Sequence, residues 1–162
     1  MKKITFILFA LIAGTTFAQS AAADAVVNAN IVSPILITNN GASTLDFGNI
    51  ASPDAATSIL VDNSGNRTNV PGVTIPGGAV SAAAFQITAA NLYVYNITLT
   101  TTDLTNGTPA DDMVLTLTSN FGASNTGDGL VQKLQVGGSL AVGITQTVGA
   151  YAGNVNVSVD YQ

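Results

Sequence analysis

Any catalytic chemistry in this chain would have to come from aspartate. All nine of its acidic residues are Asp, and glutamate, histidine and cysteine are absent. Without an imidazole base or a thiol nucleophile, serine–histidine and cysteine–histidine hydrolysis are excluded. A paired-carboxylate hydrolase would have to use Asp111 and Asp112, the one adjacent acidic pair. They follow Pro109 in "TNGTPADD", where the residue types make a solvated turn. The expectation is a non-enzymatic protein with no catalytic residue.

Metal binding meets a similar obstacle. In "DNSGNRTN", Asp62, Ser64 and Asn66 offer oxygens at alternating positions, as at the start of a calcium loop. The twelfth position of that loop is Val73, where the motif needs a bidentate Glu, so the pattern fails. Asp103 with Asp111 and Asp112 could meet a cation at a loop base, but a hydrated turn is the simpler reading. In "GGSLAVG", Gly137, Gly138 and Gly143 lack the strand-to-helix setting of a phosphate loop and are expected at turns or bulges. Tyr93 and Tyr95 share one face of an alternating run, which suits a core better than a sugar-stacking platform. No metal, cofactor or glycan site is expected from these residues.

The elements that carry these residues are short strands. Thr, Val, Ile, Asn and Gly are abundant, while the Glu, Lys and Arg that coat solvated helices are missing or scarce. Alternating runs are expected as strands over 27–38, 44–49, 58–62, 72–75, 83–88, 93–101, 113–119, 132–136, 140–146 and 154–161. Between them lie the turn sequences "NNGAS", "DNSGN", "IPGG", "TNGTPADD", "GASNTGDG" and "VGG". Many short strands without helices describe an all-β antiparallel β-sandwich.

Lys2 and Lys3, the apolar run 4–13 and the small residues that follow have the three-part pattern of a secretory signal peptide. Cleavage is expected after Ala18, with Ala22 or Ala23 as alternatives. The apolar run is about half of the roughly 20 residues that span a bilayer, and no later stretch is long enough. The mature chain is therefore expected to be exported, without a transmembrane segment. Its basic side chains are then Arg67 and Lys133 against nine aspartates. Such a surface repels phosphate backbones, so nucleic acid is not an expected partner. An exported chain without cysteine has no disulfide and must be held by burial and backbone pairing.

Two stretches alternate most cleanly. Before the first turn, Ala23, Ala25, Val27, Ala29 and Ile31 fall on one face of an extended segment. In "GAYAGNVNVSVDYQ", Val155, Val157, Val159 and Tyr161 alternate with polar residues. A strand of this second kind must pair on both sides or stand as an open edge. The expected organisation is a signal peptide over 1–18, an N-terminal extension over 19–31 and a sandwich domain over 32–162.

With "LDFGNI" at 45–50, "FQITAANLYVYNITL" at 85–99, "VGGSLAVG" at 136–143 and the closing "GAYAGNVNVSVDYQ", the chain resembles an uncharacterised secreted bacterial family, domain of unknown function 4402. It also resembles the chaperone–usher pilins and the spore coat U type proteins. The pilin resemblance implies an immunoglobulin-like, pilin-like sandwich that lacks one strand. A periplasmic chaperone, and after it the extension of another subunit, would supply that strand during assembly through an usher. Carried onto this sequence, Ala23, Ala25, Val27, Ala29 and Ile31 form the donor strand, and Val155, Val157, Val159 and Tyr161 line the acceptor groove. Gln162 would offer the carboxylate that the chaperone anchors. Pilins with a disulfide place a cysteine in the first strand, where this chain has "SPILIT".

The expected function is a structural subunit of a bacterial surface appendage that self-associates into fibres by strand donation. The alternative is a monomeric secreted sandwich that binds a glycan or protein through its loops. An acid-rich exported enzyme acting through Asp111 or Asp112 is the remaining class.

Overall fold

A computed structural model describes residues 20–39, 43–68 and 70–162. The expected signal peptide, 1–18, lies outside the described residues. Two units are distinguished, Met1–Ile31 and Val32–Gln162. Within the first, residues 20–31 have no regular secondary structure and their side chains are exposed.

The second unit is all-β, an antiparallel sandwich of two sheets. Its strands are β1 (Leu36–Asn39), β2 (Thr57–Val61), β3 (Ala83–Thr88), β4 (Val94–Thr101), β5 (Leu115–Ser119), β6 (Ser124–Thr126), β7 (Val131–Val142) and β8 (Val155–Tyr161). One 3-10 turn, Pro109–Asp111, is the only helical element among the described residues.

The larger sheet is organised around β7. Its first half pairs with β3, from Thr88↔Val131 to Ala83↔Val136, and its second half with β2, from Val61↔Gly138 to Thr57↔Val142. On its other edge β5 pairs from Ser119↔Val136 to Leu115↔Leu140, and β1 extends the sheet beyond β3. The smaller sheet has the order β6-β4-β8. Period-two alternation then decides the core. Ile59, Val61, Ile87, Leu134, Val136 and Leu140 from the large sheet face inward with Tyr95 and Ile97 from the small one, and all are buried.

The "VGG" turn expected between two strands is instead the middle of β7. Gly137 sits where β3 gives way to β2, and a Cβ there would lie 2.3 Å from the Val61 carbonyl oxygen. A Cβ on Gly138 would lie 2.9 Å from the Thr116 carbonyl oxygen. These glycines allow two neighbouring strands to approach β7 closely. Beyond β5, the Asn120 side chain takes over the pairing: its Oδ1 accepts the Gln135 N–H at 2.7 Å and its Nδ2 donates to the Lys133 carbonyl at 3.0 Å.

Other expected strands are shortened or replaced. The run 27–38 pairs regularly only from Leu36, two residues after Pro34, which has no N–H to donate. The run 44–49 forms isolated bridges at Asp46↔Ser81 and Asn49↔Gly77, because Gly48 turns the backbone at φ 68°. The run 72–75 forms no strand: a turn over 70–73, closed by Val73 N–H to the Val70 carbonyl with Gly72 at φ 81°, takes up its start. The run 140–146 divides at Val142, where β7 ends and Ile144–Thr145 turns the chain. β6 falls inside the expected turn "GASNTGDG" and pairs Val94–Asn96 of β4.

Candidate functional site

β8 is the outer strand of the smaller sheet, and its pairing direction can be read residue by residue. Gln162 donates its N–H to the Val94 carbonyl at 3.2 Å, and Thr102 donates to the Asn154 carbonyl at 3.1 Å. In the same register Asp160 lies opposite Asn96 and Ser158 opposite Thr98. The even-numbered residues of this segment therefore bond to β4. Antiparallel alternation turns the N–H and C=O groups of Val155, Val157, Val159 and Tyr161 away from β4, toward the outer edge. Among the described residues no strand pairs with that edge.

The side chains of these four residues stand across that direction, on the inner face of the sheet. Each is half-buried, and all four pack against the buried cluster that holds Tyr95, Ile97 and Leu134. An apolar inner face and an unpaired backbone edge thus belong to the same residues. Asp160 is the one charged side chain on β8, and no lysine, proline or bulge interrupts the strand.

The two ends of this edge differ. At one end Tyr161 closes the gap to the larger sheet: its hydroxyl donates to the Ser33 carbonyl at 3.0 Å and accepts the Ala90 N–H at 2.7 Å. At the other end, beside Val155, a cleft of about 510 Å³ opens into the core. Leu104, Met113, Leu115, Leu140 and Val142 line it, with residues 45–52 along one side and 146–153 along the other. All but Leu104 of these five are buried hydrophobic residues.

Both sides of the cleft are held by polar groups. Within "LDFGNI", Asp46 exchanges backbone hydrogen bonds with Ser81, and its carboxylate accepts the Gly48 N–H at 2.8 Å, which sends Phe47 into the core. The Arg67 guanidinium donates to the carbonyls of Phe47 and Asn49. Across the cleft, Tyr151 donates its hydroxyl to the Thr147 carbonyl at 2.8 Å and accepts from Asn106 and Gln146. Arg67, Gln146 and Tyr151 were not legible as site residues.

The residues weighed for chemistry are used locally. Asp62 accepts the N–H groups of Ser64 and Asn66, at 2.8 and 2.9 Å, so its carboxylate closes its own loop. The hydrogen bond from Asn66 does most to hold the Asp62 carboxyl below its ordinary range. Asp111 accepts from Asn106 Nδ2 at 3.3 Å at the end of the 3-10 turn. Among the described residues no three His, Cys, Asp or Glu side chains converge on a point that could hold a metal. No helix among them is long and apolar enough to cross a membrane. Tyr95 is fully buried, with its hydroxyl donating to Gln132 and accepting from Asn125, whereas Tyr93 is partly exposed and stacks edge-on with Tyr161 at 5.9 Å.

The family described as a domain of unknown function (DUF4402) matches residues 35–161. The chain belongs to the DUF4402 family. No curated protein and no solved structure matches it. The DUF4402 match covers β1 through β8 and both sides of the cleft, and it begins after residues 20–31. Of the expected donor residues, Val27 and Ile31 are 90% and 97% exposed, and Ala23, Ala25 and Ala29 are exposed as well.

Proposed function

We propose that this DUF4402 protein is an exported, non-catalytic structural subunit that joins copies of itself by strand donation. The observation that carries the reading is the outer edge of β8, where Val155, Val157, Val159 and Tyr161 combine half-buried apolar side chains with backbone groups that no strand among the described residues pairs. The proposed occupant is residues 21–31 of a second copy. That segment alternates in the period a strand needs, has no regular secondary structure and exposes its apolar side chains.

Burying Val27 and Ile31 would contribute about 1.5–3 kcal/mol each, with the three alanine methyls adding somewhat under 1 kcal/mol apiece. The sum, roughly 5–8 kcal/mol before ordering entropy, is reinforced by a ladder of backbone hydrogen bonds. Donation from one copy to the next is heterologous and builds an open filament. Export on a cleaved signal peptide to the bacterial periplasm or cell surface belongs to the same reading. So does a periplasmic chaperone that covers the β8 edge before an usher passes the subunit on.

The test is a titration of residues 32–162 with a labelled peptide of residues 21–31. Saturable binding with a rise in Tm of several degrees is expected. A peptide that neither binds nor shifts Tm at millimolar concentration would contradict the reading.

A further inference from the structure

In the β4–β5 loop Asn106 is followed by Gly107, and no other asparagine among the described residues precedes a glycine. Such a pair has a chemistry of its own. The backbone nitrogen of the second residue can attack the side-chain amide carbon of the first, and glycine leaves that approach free of a Cβ. Asn63, Asn66 and Asn125 precede Ser, Arg and Thr, whose Cβ atoms obstruct the same attack.

The loop sets the pair up for this reaction. Gly107 is exposed at φ 93°, and a Cβ there would meet nothing within 4 Å, so no packed neighbour resists its movement. Its N–H donates to Thr105 Oγ1 at 3.0 Å. Asn106 Oδ1 accepts the Thr108 N–H at 2.8 Å, which folds the amide back over the Gly107 peptide. The same bond polarises the amide carbonyl and supports the oxyanion that forms when its carbon is attacked. The leaving nitrogen, Asn106 Nδ2, donates to Asp111 Oδ2 at 3.3 Å and to the Tyr151 hydroxyl at 3.1 Å.

We propose that Asn106 is a self-modifying site whose conversion unties one wall of the cleft. Gly107 N gives up its proton and bonds to Asn106 Cγ, the Cγ–Nδ2 bond breaks, and Nδ2 leaves as ammonia with that proton. The product is a five-membered succinimide. Water then adds to one of the two ring carbonyls. Opening at Cγ restores the Gly107 peptide with aspartate at 106, and opening at the backbone carbonyl leaves isoaspartate. Water is the only co-reactant, and no electrons are exchanged.

The product reverses the hydrogen bonding of the site. An ionised carboxylate only accepts, so Asp111 and the Tyr151 hydroxyl both lose their donor, and two carboxylates face each other where an amide met one. Tyr151 otherwise donates to the Thr147 carbonyl and accepts from Gln146, whose Nε2 also donates to the Asp111 carbonyl. The 146–153 side of the cleft therefore leans on the β4–β5 loop through Asn106. A second tie is the backbone pair Thr105↔Ala152. Isoaspartate lengthens the main chain by one atom directly beside that pair and shifts it as well.

The test holds residues 19–162 at mildly alkaline pH and physiological temperature and maps them over days with chymotrypsin. Residues 105–113 contain no other asparagine, and Asn40, which precedes Gly41 outside the described residues, falls in a different peptide. The amide-to-acid mass gain, with aspartate and isoaspartate separated by fragmentation, is expected in 105–113 at least about tenfold faster than at Asn63 or Asn125. Gly107→Ala is expected to slow it about tenfold. An Asn106 that stays an amide while Asn63 or Asn125 converts, or an equal rate in Gly107→Ala, would overturn the site. Asn106→Asp installs one product directly. Chymotryptic cleavage after Tyr151 in the folded variant is expected to accelerate about tenfold over the unmodified chain, with Tm lowered by several degrees. Unchanged cleavage after Tyr151 would overturn the untying of the cleft wall, whatever the Tm.

Discussion

Tyr161 and Ser33 are 128 positions apart in sequence and are joined by a 3.0 Å hydrogen bond from the tyrosine hydroxyl to the serine carbonyl. The same hydroxyl accepts the N–H of Ala90 at 2.7 Å, so one side chain ties β8 to the start of β1 and to the β3–β4 loop. Tyr161→Phe keeps the ring and removes both bonds, leaving a partly buried N–H without a partner. A loss of about 1–3 kcal/mol is expected in urea unfolding, read from the midpoint at unchanged slope. A midpoint identical to that of the unmodified chain would show that the tie contributes nothing.

Arg67 is the clamp on "LDFGNI". Its guanidinium holds two backbone carbonyls, and a Cβ on Gly48 would lie 2.8 Å from Arg67 Nη1. Arg67→Met is expected to cost about 1.5–3 kcal/mol, because both carbonyls lose a charged donor. Gly48→Ala should destabilise too, through its φ of 68° as well as the collision. Thermal unfolding of the two single variants and the double variant would expose their coupling, since each change disturbs the same contact.

Gly137→Ala should be among the most damaging single-methyl changes in the sheet. Its Cβ would stand 2.3 Å from the Val61 carbonyl oxygen and 2.8 Å from the Asp62 carbonyl carbon, both of them backbone. About 3 kcal/mol or more is expected. Gly107→Ala, at φ 93° with nothing within 4 Å, isolates the backbone contribution and should cost about 1 kcal/mol. Equal losses in the two variants would contradict the close-approach account of Gly137.

Acid and alkali should act through different residues. The Asn66 and Ser64 hydrogen bonds lower the Asp62 pKa in the folded chain, so its contribution to stability is complete above about pH 4. It is lost as pH falls through the depressed folded value. Burial raises the Tyr95 phenol, so its contribution is complete below about pH 10 and declines as pH rises from there toward the folded value. Asp62→Asn should flatten the acid limb of a Tm-against-pH curve and leave the alkaline limb unchanged. An unaltered acid limb would remove Asp62 from the account.

How much of this was legible in the sequence depended on whether local alternation agreed with pairing. The run 83–88 was read with the bounds of β3, and 93–101 and 154–161 with nearly those of β4 and β8, because apolar alternation and the buried face coincide there. "LDFGNI" alternates equally well, yet the Asp46 carboxylate captures the Gly48 N–H and turns the chain, a competition invisible to periodicity. Gly137 and Gly138 looked like punctuation because glycine is ambiguous until its neighbours are known. The apolar face of β8 could be read from Val155, Val157, Val159 and Tyr161. The openness of its edge could not, since that depends on which strands arrive beside it. The cleft was equally hidden, because its floor is gathered from Leu104, Met113 and Leu140 on separate elements.

Strand donation predicts that assembly can be weakened without touching the fold. Val27 and Ile31 are exposed, so the double change to aspartate should leave the Tm of the subunit unchanged. Self-association should weaken by at least about a hundredfold, the consequence of losing roughly 3 kcal/mol or more of apolar burial. Sedimentation velocity on both chains would check this, and equal self-association would contradict the donor role.

The most direct measurement is multi-angle light scattering on residues 19–162 beside residues 32–162 over a wide concentration range. The account predicts open-ended polymers of the longer chain, a monomer for the shorter one, and conversion of the shorter one to a more heat-stable, peptide-capped monomer by residues 21–31. A longer chain that remains monomeric at every concentration, with a shorter one indifferent to the peptide, would contradict strand donation between copies.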